Sequence, residues 1–448
     1  MRLGTEVGGS PPAGALPGDL LDLQQRVESN ARSYPRGLPL VLARAQGWWV
    51  EDVTGRRYLD LLNGAGALPL GHNPPELVDA ARRQLGTLCS ALDFMTPVKA
   101  AFLERLLGSL PETMQAYRVH FCGPTGADTV EAAVKLARAA TGRSGVIGFW
   151  GAYHGCTEGA LAITAKRTMR AYRAGVAAVT HAPFSYCARC PVGLTRSTCG
   201  VNCATVFEQL LGDGFSGVDQ PAAVVVEPVQ GEGGSVPAEP DFLRRVADAT
   251  RRAGALLVAD EVQAGCGRTG RFLASEHYGI VPDIVCLSKA LSGVGLPLGV
   301  IVYRPELDVW APGAHIGTFR GSQPAMAAGE RFLSVLQGTD LLARVRTAGA
   351  RALASLHRRL HDVPWVADVR GYGFMLGVEL DAGEPERSRR LAAAVQSALL
   401  ARGVIVELGG RDDTTIRLLP ALDIPDDVLD EGTRAVARAV EEVGSGAG

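Results

Sequence analysis

The 448-residue chain lacks any apolar run long enough to span a bilayer; runs such as residues 222–226 are strand-sized. It also lacks an excess of either charge. Lys and Arg total 45 against 47 Asp and Glu, a net charge of −2, which excludes the electrostatic footprint of a nucleic-acid or anionic-membrane binder. The first twenty residues, MRLGTEVGGSPPAGALPGDL, contain no sustained apolar segment. No signal peptide is therefore expected, and the expected compartment is the cytoplasm. Nine cysteines, an odd number in a large chain, argue against a disulfide scaffold and fit a reducing compartment. No internal repeat or long low-complexity linker is present.

What is present is the composition of an ordinary globular protein, 47% apolar and 21% charged, with length enough for two domains and a large core. Residues 48–62, WWVEDVTGRRYLDLL, read as two short strands around a turn, followed by helical stretches at 75–85 and 97–110. From residue 117 strand-like runs (YRVHFC, GVIGFW, AAVVVE, ALLVADEV, DIVCLS, LGVIVY) alternate with helical ones. That alternation predicts a large, mostly parallel α/β sheet covered on both faces. After residue 321 the chain turns helical at 325–336 and 343–361. Short strands follow within 366–380 and at 404–406 and 415–418, with a last helix at 428–443. The expected organisation is a flexible arm (1–30) and the N-terminal part of a small α+β domain (31–74). A large α/β domain (75–338) with a Cys-rich insertion near 183–205 comes next, and then the C-terminal small domain (339–448).

Ligands of open α/β sheets sit outside the carboxyl ends of the strands, and unusual residues cluster at those ends here. FCGPTGADTVEAAVKLAR, 121–138, runs from a strand through small residues straight into a helix. Thr125 and Gly126 would let backbone N–H groups reach a phosphate, although Thr125 with Asp128 also reads as a plain capping box. ALLVADEVQAGCGRTG, 255–270, ends a buried strand on Asp260 and Glu261. A carboxylate there needs a cation or a protonated ring nitrogen, or else a structural partner such as Arg268. Lys289 follows the strand DIVCLS; a lysine in such a place has a depressed pKa suited to Schiff-base chemistry. Tyr153, in FWGAYHG, could stack on a planar ligand or serve as core. A phosphate cradle, a stacking aromatic, an acid for a ring nitrogen and a Schiff-base lysine together are what pyridoxal 5'-phosphate demands.

These stretches, with VLARAQGWWVEDVTGRRYLDLLNGAGALPLGHNPP, EPVQGEGG, DEVQAGCGRTG, LSKAL, GTFRGSQ, RGYGFMLGVEL and IRLLPAL, resemble the class III (ornithine/ω-type) aminotransferases of fold type I. The resemblance runs from about residue 28 to 443. SNARSYPR, ALDFMTPVK and YCARCPVGLTRSTCG bring it nearest the diaminobutyrate–2-oxoglutarate transaminase group. The resemblance implies the following roles. Lys289 holds the cofactor and shuttles the proton. Asp260 pairs with the pyridine nitrogen. Val262 and Tyr153 cover the two ring faces, Gln263 meets the ring hydroxyl, and Thr125 and Gly126 hold the phosphate. Thr318 reaches the phosphate of a neighbouring subunit, so a homodimer with sites at the interface is implied. Arg417 grips the carboxylate of glutamate or 2-oxoglutarate, and Glu232 masks it when a terminal amine enters. The implied reaction moves the terminal amino group of a diamino acid to a 2-oxo acid by ping-pong exchange.

The sequence departs from the group's pattern in three places: a loop after Lys289 about one residue longer, Cys266 where an aromatic is common, and Ala165-Lys166 where Gly-Asn is common. Lys166 is a surface charge or a cation near the pocket. The departures leave open a lyase or β/γ-replacement enzyme of specialised metabolism on the same scaffold. Cys187, Cys190, Cys199 and Cys203 have spacings compatible with a zinc loop; buried free thiols are the expectation, with no metal assigned.

Overall fold

A computed structural model describes residues 17–171 and 178–445. Its centre is a seven-stranded sheet: β1 (Arg118–Phe121), β2 (Val146–Phe149), β3 (Val179–Ala182), β4 (Ala223–Val226), β5 (Leu256–Asp260), β6 (Ile284–Leu287) and β7 (Val300–Tyr303), in the order β1-β7-β6-β5-β4-β2-β3. Only β7 runs against its neighbours, β6 and β1; the other pairs are parallel. Strands β2, β4, β5, β6 and β7 are buried along their whole length, which is why they read as unbroken apolar runs rather than alternating ones. Successive residues face opposite layers. Val225, Val258 and Ile301 pack with the helix Gly126–Thr141, whereas Val224, Val226 and Leu257 pack with Phe242, Leu243 and Val246 of the helix Pro240–Arg252.

The rest of the chain surrounds this sheet. Strands Leu42–Gln46, Trp49–Asp52 and Arg57–Asp60 form a meander, and Arg57–Asp60 pairs in parallel with Val404–Ile405. Segments from the two ends of the chain thus share one sheet. A second antiparallel sheet joins Val366–Tyr372, Met375–Leu380, Thr415–Leu418 and Glu407–Gly409.

Several elements were not expected from the sequence, among them the edge strand β3. Pro385–Ala401 is a helix with Pro at its start, burying Leu391, Ala392, Val395 and Leu399 at helical spacing. Pro17–Val27, inside the segment expected to be a flexible arm, is a helix with no buried residue; residues 1–16 of that segment lie outside the described residues. The Cys-rich segment is tied to the antiparallel sheet through Glu379, which accepts hydrogen bonds from Tyr186 and Arg189 and pairs with Arg370 at 2.5 Å. All four of its cysteines are free, and only Cys203 is buried. Among the described residues no group of three or more His, Cys, Asp or Glu is placed to hold a metal ion. No described helix is long and apolar enough to cross a membrane.

Candidate active site

Five parallel strands, β1, β2, β4, β5 and β6, end on the same edge of the sheet, and the segments leaving them enclose a cavity of about 440 Å³. Every sequence-expected site residue except Thr318 and Arg417 lines it.

Lys289 follows β6 and opens a short 3-10 turn at φ +41°, a left-handed conformation rare for a side-chain-bearing residue. Such strain persists only where the surrounding structure imposes it. Burial holds its ammonium below the ordinary lysine pKa, against the opposing pull of Glu232. The neutral amine is thereby brought within easier reach.

Asp260 ends β5. Its Oδ2 lies 2.7 Å from Nδ1 of His154, and its Oδ1 accepts the Val262 N–H at 3.1 Å. His154 is buried and its Nε2 has no hydrogen-bond partner among the described residues. Burial alone would lower the imidazole pKa, but the Asp260 carboxylate reverses the sign and raises it. The acid is therefore anchored by a buried imidazole. Behind Tyr153, Glu227 accepts the Tyr153 N–H at 3.0 Å and the Gly231 N–H at 2.9 Å, and burial pushes its carboxyl up to about 7. Glu261 points elsewhere, accepting the N–H groups of Ala274 and Ser275, both at 2.8 Å. The structural alternative, an ion pair with Arg268, does not form; Arg268 donates to the Pro420 carbonyl instead.

The start of the helix Gly126–Thr141 is a complete capping box. Asp128 Oδ2 accepts the Thr125 N–H at 2.9 Å and its hydroxyl at 2.6 Å, and Thr125 Oγ1 accepts the Asp128 N–H. Both alternatives read from the sequence thus meet in one turn. The cap uses Thr125, while Gly126 and Ala127 line the cavity with first-turn amides that have no intrahelical acceptor. A Cβ at Gly126 would stand 2.6 Å from Cγ1 of Val262, so only glycine leaves this floor open with Val262 in place.

Arg417, in the strand Thr415–Leu418, is fully buried behind Glu232 and Gln263, which line the cavity. It donates to Glu232 Oε1 at 2.8 Å and to Gln263 Oε1 at 2.5 Å. Glu407 Oε2 lies 2.9 Å away as an ionic contact outside hydrogen-bond geometry, and Glu407 in turn accepts the Tyr34 hydroxyl at 3.0 Å. Burial would weaken the guanidinium charge, but Glu407 and Glu232 more than offset it and raise its pKa. Burial would likewise raise Glu232, yet Arg417 and Lys289 hold it below the usual carboxylate range. Gln263 also donates to the Ala65 carbonyl at 3.1 Å, which leaves one amide N–H for a ligand.

Thr318 is exposed and lies outside this cavity. His154, Glu227, Glu407 and Tyr34 were not identified from sequence. The His beside Tyr153 was the one visible hint, since a buried acid at a strand end calls for a partner.

The donor set fits pyridoxal phosphate: an anchored carboxylate for a ring nitrogen, a lysine whose amine has no hydrogen-bond acceptor among the described residues, and free helix-start amides over a glycine floor for the phosphate.

The family model described as aminotransferase class-III matches residues 30–440. The chain is 45% identical to the diaminobutyrate–2-oxoglutarate aminotransferase of Rhizobium meliloti, over 95% of this chain and 93% of that one. It is 42% identical to the enzyme of the same name from Haemophilus influenzae, over 94% of each. Among solved structures it is similar to ornithine aminotransferase from Toxoplasma gondii, whose active site holds PLP at partial occupancy (TM-score 0.82, 27% identity, 96% of each chain). It is also similar to an aminotransferase of Bacillus anthracis (TM-score 0.84, 26% identity, 95% and 98% of the chains).

Proposed function

The chain belongs to the class III aminotransferases, and from that premise we propose that it moves the terminal amino group of 2,4-diaminobutyrate to 2-oxoglutarate, and the reverse, by ping-pong exchange. The relatives of that activity, at 45% and 42% identity over most of the chain, support the substrate pair. The observation that carries the reading is Arg417, a buried cation in contact with Glu407 and with Glu232, which lines the Lys289 cavity. A site that takes only amines has no use for it, and a site that takes only dicarboxylates has no use for its mask.

Pyridoxal 5'-phosphate is the cofactor, and when bound it supplies an aldehyde that condenses with amines and a protonated ring that draws electrons from the carbon bearing nitrogen. Lys289 would hold the aldehyde carbon. Its Nζ, once free, takes the proton from that substrate carbon, a base made more available by burial. Asp260, fixed by His154, holds the proton at the ring nitrogen. Tyr153 and Val262 would cover the ring, and the turn of Thr125 and Gly126, with the amides of Gly126 and Ala127, would hold the phosphate. Arg417 orients the 2-oxo acid by its carboxylate when Glu232 swings away, and Glu232 returns when the cationic amine enters.

We read residues 75–338 as the cofactor domain and 31–74 with 339–448 as the second domain. The parallel pairing of Arg57–Asp60 with Val404–Ile405 supports that division. We also read the active unit as a homodimer. Large exposed apolar side chains, Phe94, Met95, Ile316 and Phe319, support it, and two of them flank Thr318. Nine free thiols support a cytoplasmic location. The test is a panel of amine donors with 2-oxoglutarate, followed by glutamate release: 2,4-diaminobutyrate should lead the panel. No glutamate from any ω-amine donor would reject the reading.

A further inference from the structure

A second cavity, of about 520 Å³, adjoins the first and shares Tyr153 and Glu232 with it. Five of its described wall residues are Lys or Arg and three are Asp or Glu. On this wall Lys166 donates to Asp413 Oδ1 at 2.8 Å. Lys166 stands between two helical segments of the α/β part, and Asp413 ends a turn that leads into the Arg417 strand. Both side chains stay open to solvent, at 33% and 44% exposure.

Three features set this pair apart from an ordinary surface ion pair. The chain contains only four lysines, Lys99, Lys135, Lys166 and Lys289, in a sequence otherwise rich in arginine. Lys166 also lines the same cavity as Glu232 and Tyr153 of the main site. Finally, Asp412 and Asp413 are both left-handed, at φ +59° and +55°. Two successive non-glycine residues in that region make a strained turn, and both line the cavity.

We propose that Lys166 and Asp413 bind the α-amino-acid end of the diamino substrate, Lys166 taking its carboxylate and Asp413 its α-ammonium. This inference rests on the terminal-amine reading given above. An exposed ion pair is nearly neutral for stability, so little is lost when a ligand separates it. A zwitterionic head group then restores one charge-assisted bond to each partner. A diamine without a carboxylate offers nothing to Lys166. 2-Oxoglutarate has no ammonium for Asp413. The pair therefore selects amino acids among amines, and it acts on one half-reaction only.

The holoenzyme is tested with 2,4-diaminobutyrate and with 1,3-diaminopropane, the same diamine lacking the carboxylate. In Lys166→Met and Asp413→Asn, KM for 2,4-diaminobutyrate should rise by about 10–100-fold, the loss typical of one charged hydrogen bond. Asn is chosen because it tolerates the left-handed backbone. For Lys166→Met the loss should be absent with 1,3-diaminopropane, whereas for Asp413→Asn it should appear with both diamines, because 1,3-diaminopropane keeps the second ammonium. Neither variant should lose affinity in the 2-oxoglutarate half-reaction, and Lys166→Arg should restore most of the affinity. Equal loss with both diamines in Lys166→Met, or no loss with 2,4-diaminobutyrate in either variant, overturns the proposal. Calorimetry separates it from the terminal-amine reading. Homoserine keeps the α-end but has no terminal amine, and it is titrated into borohydride-reduced holoenzyme, which cannot turn over. At least tenfold weaker binding by Lys166→Met supports the subsite even if no diamine proves a substrate; unchanged binding overturns it.

Discussion

Gln263 and Arg417 are joined by a 2.5 Å hydrogen bond that links the β5 loop to the antiparallel sheet. The residue expected at the cofactor's hydroxyl and the residue expected at the substrate's carboxylate are thus in direct contact. A movement of Arg417 would therefore be felt by Gln263.

The switch is open to direct measurement. Arg417→Ala is expected to damage the 2-oxoglutarate half-reaction far more than the diamine half-reaction. Loss of a charged hydrogen bond costs about 1.5–3 kcal/mol, or roughly 10–150-fold. Glu232→Ala should favour glutamate over the terminal amine. Single-turnover absorption spectra follow each half separately. Equal damage to both halves in both variants would reject the switch. Because Glu407 stands 2.9 Å from Arg417 as a second counter-charge, Glu407→Gln should strengthen 2-oxoglutarate binding.

Lys289→Ala should abolish the visible absorption of lysine-bound cofactor in dialysed protein, and with it all turnover. Asp260→Asn should retain cofactor and lose about 10³-fold in rate, roughly 4 kcal/mol of transition-state stabilisation. Near-normal turnover by the Asn variant would show that some other group keeps the ring protonated.

His154 makes stability depend on pH in a definite sense. Its folded pKa is raised above the unfolded value, with Asp260 outweighing burial. The stabilisation it brings is therefore complete below about pH 6.5, the ordinary histidine value, and is lost as pH rises through the raised folded value. Thermal midpoints of the wild type and His154→Gln, compared from pH 6 upward, should converge as pH increases. A gap that widens with pH would mean that the imidazole is neutral in the folded state.

Much of this site was legible because its residues sit at the ends of apolar runs. A strand buried on both faces leaves a plain signature, so Asp260 and Lys289 stood out as polar residues where polarity is costly. The Arg417 surroundings were less visible. Tyr34 and Glu407 are 373 residues apart in sequence, and no local pattern connects them. The helix Pro385–Ala401 did carry its signals, a proline start and i, i+4 apolar spacing, and they were not used. The strand Val179–Ala182 has only one fully buried residue and lies at the sheet edge, so its polar composition concealed it.

The dimer reading has its own test. Phe319, 81% exposed beside Thr318, would be covered in the assembly. Phe319→Asp should shift sedimentation toward monomer and weaken cofactor retention, and Thr318→Ala should weaken retention without dissociating the dimer. Fully active wild-type monomers at assay concentration would refute the shared site.

The pairing of Leu59 with Val404 also governs how the molecule is made. The edge of the first meander is completed by a strand that emerges from the ribosome some 345 residues later. Until then that edge is open and the walls around Arg417 do not exist. The α/β sheet can close on the emerging chain, but the substrate end of the site is assembled last, by contacts of the highest sequence separation, which are the slow ones in folding. A truncated or stalled chain would therefore present a cofactor cavity with no substrate selectivity, and an unpaired strand edge for chaperones to guard.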